Sequence, residues 1–243
     1  MSKAETPRKN SRGQVNAAVD TLGRRIANGT YPQGSTLAIE QELAANLGVG
    51  RNALREAVKV LSGKGLISTA PRSGTKVRPR DEWNMLDPDV LAWHADPETA
   101  TREFMLDLIE LRRIIEPKAA ELAAKRATKE DIATILAAYE EMAAAGSDQQ
   151  KKMETDIAFH TAILKASHNT VLSHFKHAIS TYLRAHIPQG KIQDEKTTKE
   201  DLERHHQIAW SIASGKAKTA HSLTVEMLNQ NRSHFEDEPA TEA

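Results

Sequence analysis

A change of pattern near residue 80 constrains this 243-residue chain more than any other feature of its sequence. Two short runs typical of β-strands, 66–69 and 75–78, come before that point, separated by a hairpin-type loop at 70–74. After Arg80 no strand-like alternation occurs, and apolar residues recur at helical spacing. We therefore predict a mainly α protein, in which a small mixed domain is followed by an all-α helical bundle.

Charge and histidine change at the same boundary. Residues 1–80 carry 14 Lys and Arg against 5 Asp and Glu, whereas the remainder carries 19 against 28 together with all 10 histidines. A basic segment joined to an acidic, histidine-bearing one indicates two domains with different partners, although chance clustering is the simpler alternative.

Composition excludes several protein classes. The absence of cysteine excludes disulfides, thiolate metal sites and cysteine nucleophiles. No apolar run approaches the roughly 18–20 residues of a membrane span, and the polar N-terminus does not resemble a signal peptide. We expect a cytoplasmic protein with no membrane partner.

The basic third has the layout of a winged helix-turn-helix. Apolar spacing predicts a helix over 14–28, and glycine and proline then separate it from shorter helices at 39–47 and 51–64. The two β-like runs follow. The alternative is a small α+β domain with no role in nucleic-acid binding.

The helix predicted over 51–64 is suited to the major groove of DNA. At 100° per residue, Arg51, Asn52 and Arg55 share a polar face with Lys59, opposite an apolar face that can dock on a core. Arginine can bind guanine, and asparagine can bind adenine, through two hydrogen bonds. A solvated basic face is the alternative reading.

The rest of the chain reads as a linker and a bundle. Three prolines and two tryptophans within 79–97 indicate a partly packed linker, and six or seven helices follow, the first of them kinked or divided at Pro117. The predicted organisation is a disordered tail (1–11), a winged helix-turn-helix (12–79), a linker (80–98), an all-α domain (99–236) and a tail (237–243).

Three residues of the bundle have the spacing of metal ligands. Asp156 and His160 lie four residues apart on one helix and can share an ion, and His205 lies on a later helix that can pack opposite. One carboxylate and two imidazoles suit zinc or a similar divalent ion. Surface or core histidines with no metal are the alternative.

Residues 12–78 resemble the DNA-binding domain of the GntR superfamily of bacterial transcription regulators. The resemblance rests on Glu40-Gln41-Glu42-Leu43-Ala44, on 47–57 and on the wing at 72–77. It implies DNA contacts by Arg51 and Arg55 and a wing tip at Gly74, with Arg72 beside it. The chain departs from the family pattern at three places: Ala38-Ile39 replaces the usual serine cap of the second helix, Gln41 replaces an arginine that contacts DNA, and Gly50 replaces a hydroxyl residue that often contacts phosphate.

The bundle resembles the effector domain of the FadR-like (FCD) branch of that superfamily. The resemblance rests on 110–117, on Asp156-Ile157-Ala158-Phe159-His160 and on His205 followed by Gly215. Many members of that branch bind a divalent metal through one Asp and three His. Three of these ligands map to Asp156, His160 and His205, whereas the fourth position holds Met227, a poor ligand for such ions.

Within that branch the chain is similar to regulators of sugar-acid catabolism. The resemblance includes Trp83, Trp93, Ser180 with Arg184, and the methionine at 227. It implies an aldonate effector of the galactonate type, with Arg112 and Arg184 as carboxylate partners beside Ser180. Asn169 either lines the pocket or shapes its turn.

Together these features predict a homodimeric repressor that binds an inverted-repeat operator in double-stranded DNA and is released by a sugar acid. The alternatives are a regulator responding to another hydroxy acid such as lactate, a DNA binder with no ligand, and a small metallohydrolase. The last lacks an accompanying HExxH or nucleophile motif and leaves the basic helix unexplained.

Overall fold

The computed structural model describes residues 11–70, 74–96, 100–186 and 195–236, with the side chains of 11, 186, 195–198 and 231–236 left out. The chain divides into two compact units after His94.

The first unit is a winged helix-turn-helix, as the sequence predicts. Strands β1 and β2 pair antiparallel, with Ile67 opposite Val77, and an isolated bridge joins Thr36 to Lys76 beside them. A core that includes Leu22, Leu54 and Leu61 lies beneath. The elements are α1 (Ser11–Ala27), α2 (Glu40–Leu47), α3 (Arg51–Gly63), β1 (Ile67–Ala70) and β2 (Gly74–Val77).

The turn between α2 and α3 depends on glycine. α2 ends at Gly48, whose φ of 63° is left-handed, a conformation that favours glycine because it has no Cβ. At its other end α2 has Ile39 in the N-cap position, with no side-chain hydrogen bond to the helix. The serine cap that the sequence lacks is therefore not replaced by another side-chain cap at the N-cap position of α2.

The segment after the wing packs within the first unit. A 3₁₀ turn at Arg80–Glu82 leads to α4 (Pro88–His94). The Trp93 indole N–H donates to Asp20 of α1 at 2.9 Å, and the Lys64 ammonium contacts Asp87 at 2.7 Å. Trp83, Val90 and Trp93 of the predicted linker thus belong to the core of the first unit.

The second unit is all-α over the residues that the structure describes, again as predicted. Pro117, where the sequence predicts a kink or a division, lies inside a single helix, and the segment 170–186 forms two helices. The first of its helices packs against the last and against the third. The helices are α5 (Arg102–Arg126), α6 (Lys129–Ala143), α7 (Gln149–Ala166), α8 (Thr170–Ser173), α9 (Lys176–His186), α10 (Glu195–Ala213) and α11 (Ala217–Glu236).

Among the described helices, none combines the length and the apolar character needed to span a lipid bilayer.

Candidate functional sites

The exposed face of α3 carries the basic and amide side chains that the sequence singles out. Arg51, Asn52 and Arg55 are all exposed. The opposite face is anchored in the core, so the backbone that bears these side chains is fixed. The buried residues of that face are Ala53, Leu54, Ala57 and Leu61.

These side chains differ in the hydrogen bonds and ion pairs that they make within the protein. Arg51 and Asn52 make no hydrogen bond or ion pair with any residue that the structure describes, so their donors are available to a ligand. Arg55 donates its Nε–H to both carboxylate oxygens of Glu40, at 2.9 and 3.0 Å. Lys59 contacts Glu56 at 2.8 Å.

The wing is the hairpin formed by β1 and β2, in which Gly74 pairs with Ala70. Gly74 opens β2 with a φ of 75°, and a Cβ there would lie 3.3 Å from Cγ2 of Thr36. Gln41 is exposed on α2. Arg72, which the sequence places beside Gly74, lies outside the described residues.

The second candidate site is a buried cluster in the second unit. α7 supplies Asp156 and His160, and α10 supplies His205, as the spacing predicts. One possible ligand atom from each lies within 4.8 Å of the others. Oδ1 of Asp156 is 3.2 Å from Nε2 of His160 and 3.4 Å from Nε2 of His205.

In both imidazoles, the Nδ1 atom, which points away from Asp156, lies beside a hydrogen-bond acceptor. Nδ1 of His160 lies 2.5 Å from Oε2 of Glu116, and Nδ1 of His205 lies 2.8 Å from the carbonyl oxygen of Asp201. Donation through Nδ1 leaves the Nε2 lone pairs directed at the Asp156 carboxylate.

That arrangement fits a divalent cation. Oδ1 of Asp156 and Nε2 of His205 are buried, and neither has a hydrogen-bond partner in the described residues. Lone pairs that converge on a buried carboxylate repel one another unless a proton or a cation lies among them. Asp156, His160 and His205 are the residues that would hold such an ion.

The charges around this cluster are strongly coupled. Burial alone would raise the pKa of Glu116, but the charges of Arg112 and His160 outweigh it and lower that pKa to about 2. Burial alone would lower the pKa of His160, but Glu116 and Asp156 raise it to about 9. Without a metal, a proton on His160 therefore balances the carboxylates.

Arg112 is the predicted effector residue that belongs to this cluster. It is 2% exposed, its Nε–H donates to Glu116 at 2.5 Å, and its guanidinium carbon lies 4.7 Å from the centre of the Tyr182 ring. Its Nη2 is 3.5 Å from Nε2 of His160. A buried cation thus lies beside the candidate metal ligands.

The other predicted effector residues are placed elsewhere. The Asn169 side-chain oxygen accepts the N–H groups of Val171 and Leu172 and so caps α8, which fits its turn-shaping reading. Ser180 and Arg184 are about 160° around α9 from Tyr182, the residue that contacts Arg112. Arg184 is exposed, so the structure does not bring this pair to the cluster.

Met227, at the expected fourth-ligand position, lies at the edge of the cluster. It is buried and lines a cavity of about 10 Å³ together with His160, Glu116 and Thr224. A cavity of that size holds about one water.

Sequence reasoning did not assign roles to Glu116 and Tyr182. Glu116 joins Arg112 to His160 and is 3% exposed. Its spacing of four residues from Arg112 was a usable signal, because such pairs meet on one face of a helix. Tyr182 gave no comparable signal, since its contact with Arg112 joins distant parts of the chain.

Comparisons with known proteins identify the family to which each part of the chain is similar. Residues 14–77 match the gntR family of bacterial regulatory proteins, and residues 107–230 match the FCD domain. The chain belongs to the GntR family of bacterial transcription regulators. It is a regulator with a DNA-binding winged helix-turn-helix and an FCD domain, and it is not an enzyme.

Among its relatives, the galactonate operon transcriptional repressor of Escherichia coli K12 is 35% identical over 210 residues, which cover 86% of this chain and 91% of the relative. The regulator LutR of Bacillus subtilis is 29% identical over 204 residues, 82% of this chain and 91% of the relative. A solved GntR structure from Streptococcus agalactiae aligns over 90% of this chain and 99% of its own, with 26% identity and a TM-score of 0.52.

Proposed function

We propose that this regulator represses genes of sugar-acid catabolism and that a galactonate-like aldonate releases it from DNA. The observation that carries the proposal is the buried Arg112 beside Asp156, His160 and His205. Arg112 is already paired with Glu116, so a divalent cation held beside them would leave a net positive charge for an anionic ligand to balance. The similarity to a galactonate operon repressor over most of both chains supports a sugar acid as that partner.

The DNA side of the proposal rests on α3. Arg51 and Asn52 are the base-reading residues, because their side chains are exposed and make no hydrogen bond or ion pair with the described part of the protein. Arg55 contributes from the same face of α3. Gly74 allows the wing to approach the minor groove, and Gln41 faces the sugar–phosphate backbone of the DNA. The operator is an inverted repeat read by a homodimer in the cytoplasm.

The choice of an anionic effector follows from the net charge of the buried cluster. With a divalent cation held by Asp156 and two neutral imidazoles, and with Arg112 opposed by Glu116, the buried groups together carry one positive charge. One carboxylate of an aldonate balances that charge. The cation supplies electrostatic attraction for the carboxylate and hydroxyl oxygens of the effector.

Release of the regulator from DNA follows from thermodynamic linkage between effector binding and operator binding. The aldonate favours an arrangement of the second unit that spaces the two reading helices of a dimer badly for the operator. Effector and operator then weaken each other's binding by the same factor.

The first experiment measures thermal melting with C4 to C6 sugar acids and with lactate, each with and without a chelator. A ligand at 100 times its dissociation constant adds about 2.7 kcal/mol, and we expect a shift of several degrees with one aldonate that chelation removes. Lactate is included because a putative L-lactate dehydrogenase operon regulatory protein of Escherichia coli K12 is 37% identical to this chain over 143 residues. A shift with lactate alone would replace the aldonate, and no shift with any acid would contradict the effector assignment.

Variants separate the effector site from the surface of α9. Arg112→Lys keeps the charge but loses the planar donor geometry, so it should abolish the aldonate-induced shift. Arg184→Ala is the control, because that arginine is exposed on the other side of α9, and it should respond as the wild type does. An aldonate response lost in Arg184→Ala and kept in Arg112→Lys would contradict this placement.

The DNA assignment is tested by anisotropy titration at fixed salt. Arg51→Ala should weaken operator binding by about 1–3 kcal/mol if the contact is bidentate to guanine. Lys59→Ala, if that lysine touches only phosphate, should lower the salt slope by about one unit without changing sequence preference. Unchanged affinity in Arg51→Ala would contradict its role.

A further inference from the structure

The ion pair between Glu40 and Arg55 places a carboxylate where a DNA-binding surface would be expected to avoid one. Glu40 is the first residue of α2, and Arg55 lies on the exposed face of α3. Both side chains are well exposed, at 41% and 63%. Exposed ion pairs contribute little to stability, so the contact is poorly explained as a fold-stabilising one.

The geometry of the contact leaves the rest of the guanidinium available. Nε–H of Arg55 donates to both oxygens of Glu40, at 2.9 and 3.0 Å. An arginine has five N–H donors, four of them on its two terminal nitrogens. The described residues offer those four no hydrogen-bond partner, so the edge that can bind guanine or phosphate is held outward.

Two consequences follow for DNA. A guanidinium held at Nε keeps one orientation, which favours a ligand with matching acceptors such as the O6 and N7 edge of guanine. The pair as a whole is neutral, so it gains little from phosphates whose positions do not match that orientation.

We propose that Glu40 is a positioning residue that sets the sequence discrimination of the reading surface, by orienting Arg55 and by neutralising it at non-specific DNA. The proposal rests on the DNA-binding function and adds to it a division of labour. Arg51 reads bases without support from the protein, whereas Arg55 reads them under the control of a carboxylate on the neighbouring helix.

The chain provides a matched control. Glu56 also carries an exposed carboxylate that contacts a cation, Lys59, at 2.8 Å on α3. Glu40→Gln and Glu56→Gln therefore change net charge equally on the same surface, but only the first alters the partner of Arg55. Glu40→Ala removes both the charge and the acceptor.

The experiment uses the full-length protein. A duplex is first selected by the wild type from a random library of about 26 base pairs, long enough for two half-sites one helical turn apart. Affinities for that duplex and for an unselected duplex are then measured over a range of salt concentrations. Circular dichroism melting checks that each variant folds as the wild type does.

We expect Glu40→Ala to tighten binding to the unselected duplex and to steepen its salt slope by about 0.9 per protomer. The ratio of selected to unselected affinity should fall by about tenfold, the scale of one bidentate base contact. Glu40→Gln should steepen the slope similarly but lose less discrimination, because its amide oxygen still accepts from Nε. Glu56→Gln should leave the ratio unchanged.

A double-variant cycle decides between positioning and simple charge. In an Arg55→Ala background, Glu40→Ala should no longer change the affinity ratio. The inference is overturned if Glu40→Ala discriminates as well as the wild type, or if it loses discrimination equally without Arg55. A wild type that prefers no duplex would overturn the proposed function along with it, so the two failures are distinguishable.

Discussion

The indole ring of Trp93 lies directly on Gly23, so that a Cβ at Gly23 would come within 2.5 Å of three ring carbons. The same indole donates its N–H to Asp20, one turn earlier on α1. α1 and α4 are therefore fitted to each other, and the fit depends on the absence of a side chain at one position.

Gly23→Ala should destabilise the first unit. Alanine improves helix propensity by about 1 kcal/mol, but it forces Trp93 from its place, and overpacking a core costs about 1–3 kcal/mol. We expect a net loss of stability in denaturant unfolding followed by tryptophan fluorescence. Gly13→Ala in the same helix is the control, since nothing lies within 4 Å of its added Cβ, and it should be neutral or stabilising. Equal effects at both positions would contradict the packing explanation.

Two substitutions at the candidate metal site should change zinc affinity in opposite directions. Asp156→Asn removes a charged ligand and should abolish zinc binding in a chelator-competition titration. Met227→His adds an imidazole at the edge of the cluster, so zinc affinity should rise. The wild type should lose several degrees of melting temperature on chelation.

The half-buried His221 on α11 is the control for that site, because it is not part of the cluster. His221→Ala should bind zinc as the wild type does. A wild-type melting temperature that changes with neither zinc nor chelator would count against a metal in this regulator.

Asn169 should act on stability and not on the effector. Its side-chain oxygen caps α8, so Asn169→Ala should cost about 1 kcal/mol. Asn169→Asp keeps the capping oxygen and should recover most of that loss. The melting shift induced by a sugar acid should be the same in Asn169→Asp as in the wild type. An effector response lost in both variants would instead assign Asn169 to the pocket.

Acid should weaken the second unit partly through Asp131. The backbone N–H of Thr128 donates to this carboxylate and, with the Thr128 hydroxyl and His168, lowers its pKa against the opposing effect of burial. A lowered pKa in the folded state gives stability that is present above about 3.8, the usual value, and is lost as pH falls through the folded pKa.

Asp131→Asn should therefore flatten the acid side of the curve of unfolding free energy against pH. Asp107→Asn is the matched change at an exposed carboxylate on α5 that makes no hydrogen bond with the described residues. It should leave the curve unaltered. A curve for Asp131→Asn as steep as that of the wild type would show that other groups govern acid unfolding.

The order of the elements was predictable because helical spacing, glycine stops and the two β-like runs are local signals. The place of α4 was not. Its packing depends on the room left by Gly23, about 70 residues earlier in the chain, and no periodicity reports such a distant fit. Pro88 and Pro97 instead favoured a linker over a short helix.

The candidate site divides in the same way. Asp156 and His160 were predictable from their spacing on one helix, whereas for His205 the sequence showed only that its helix could pack opposite them. The link from Glu116 to His160 crosses from α5 to α7, so local sequence could not show it. Ser180 and Arg184 have the right spacing for a shared ligand, but Tyr182 decides which face of α9 meets Arg112.

The position of α4 also determines where regulators of this kind can exchange parts. Val90, Trp93 and Trp83 belong to the core beneath the wing. A hybrid joined at residue 79 would leave that core without three of its side chains, whereas one joined between 95 and 101 would keep it whole. Recombination that pairs an existing operator preference with a new sensor should therefore leave its crossover points after α4, and engineered biosensors should be cut at the same place.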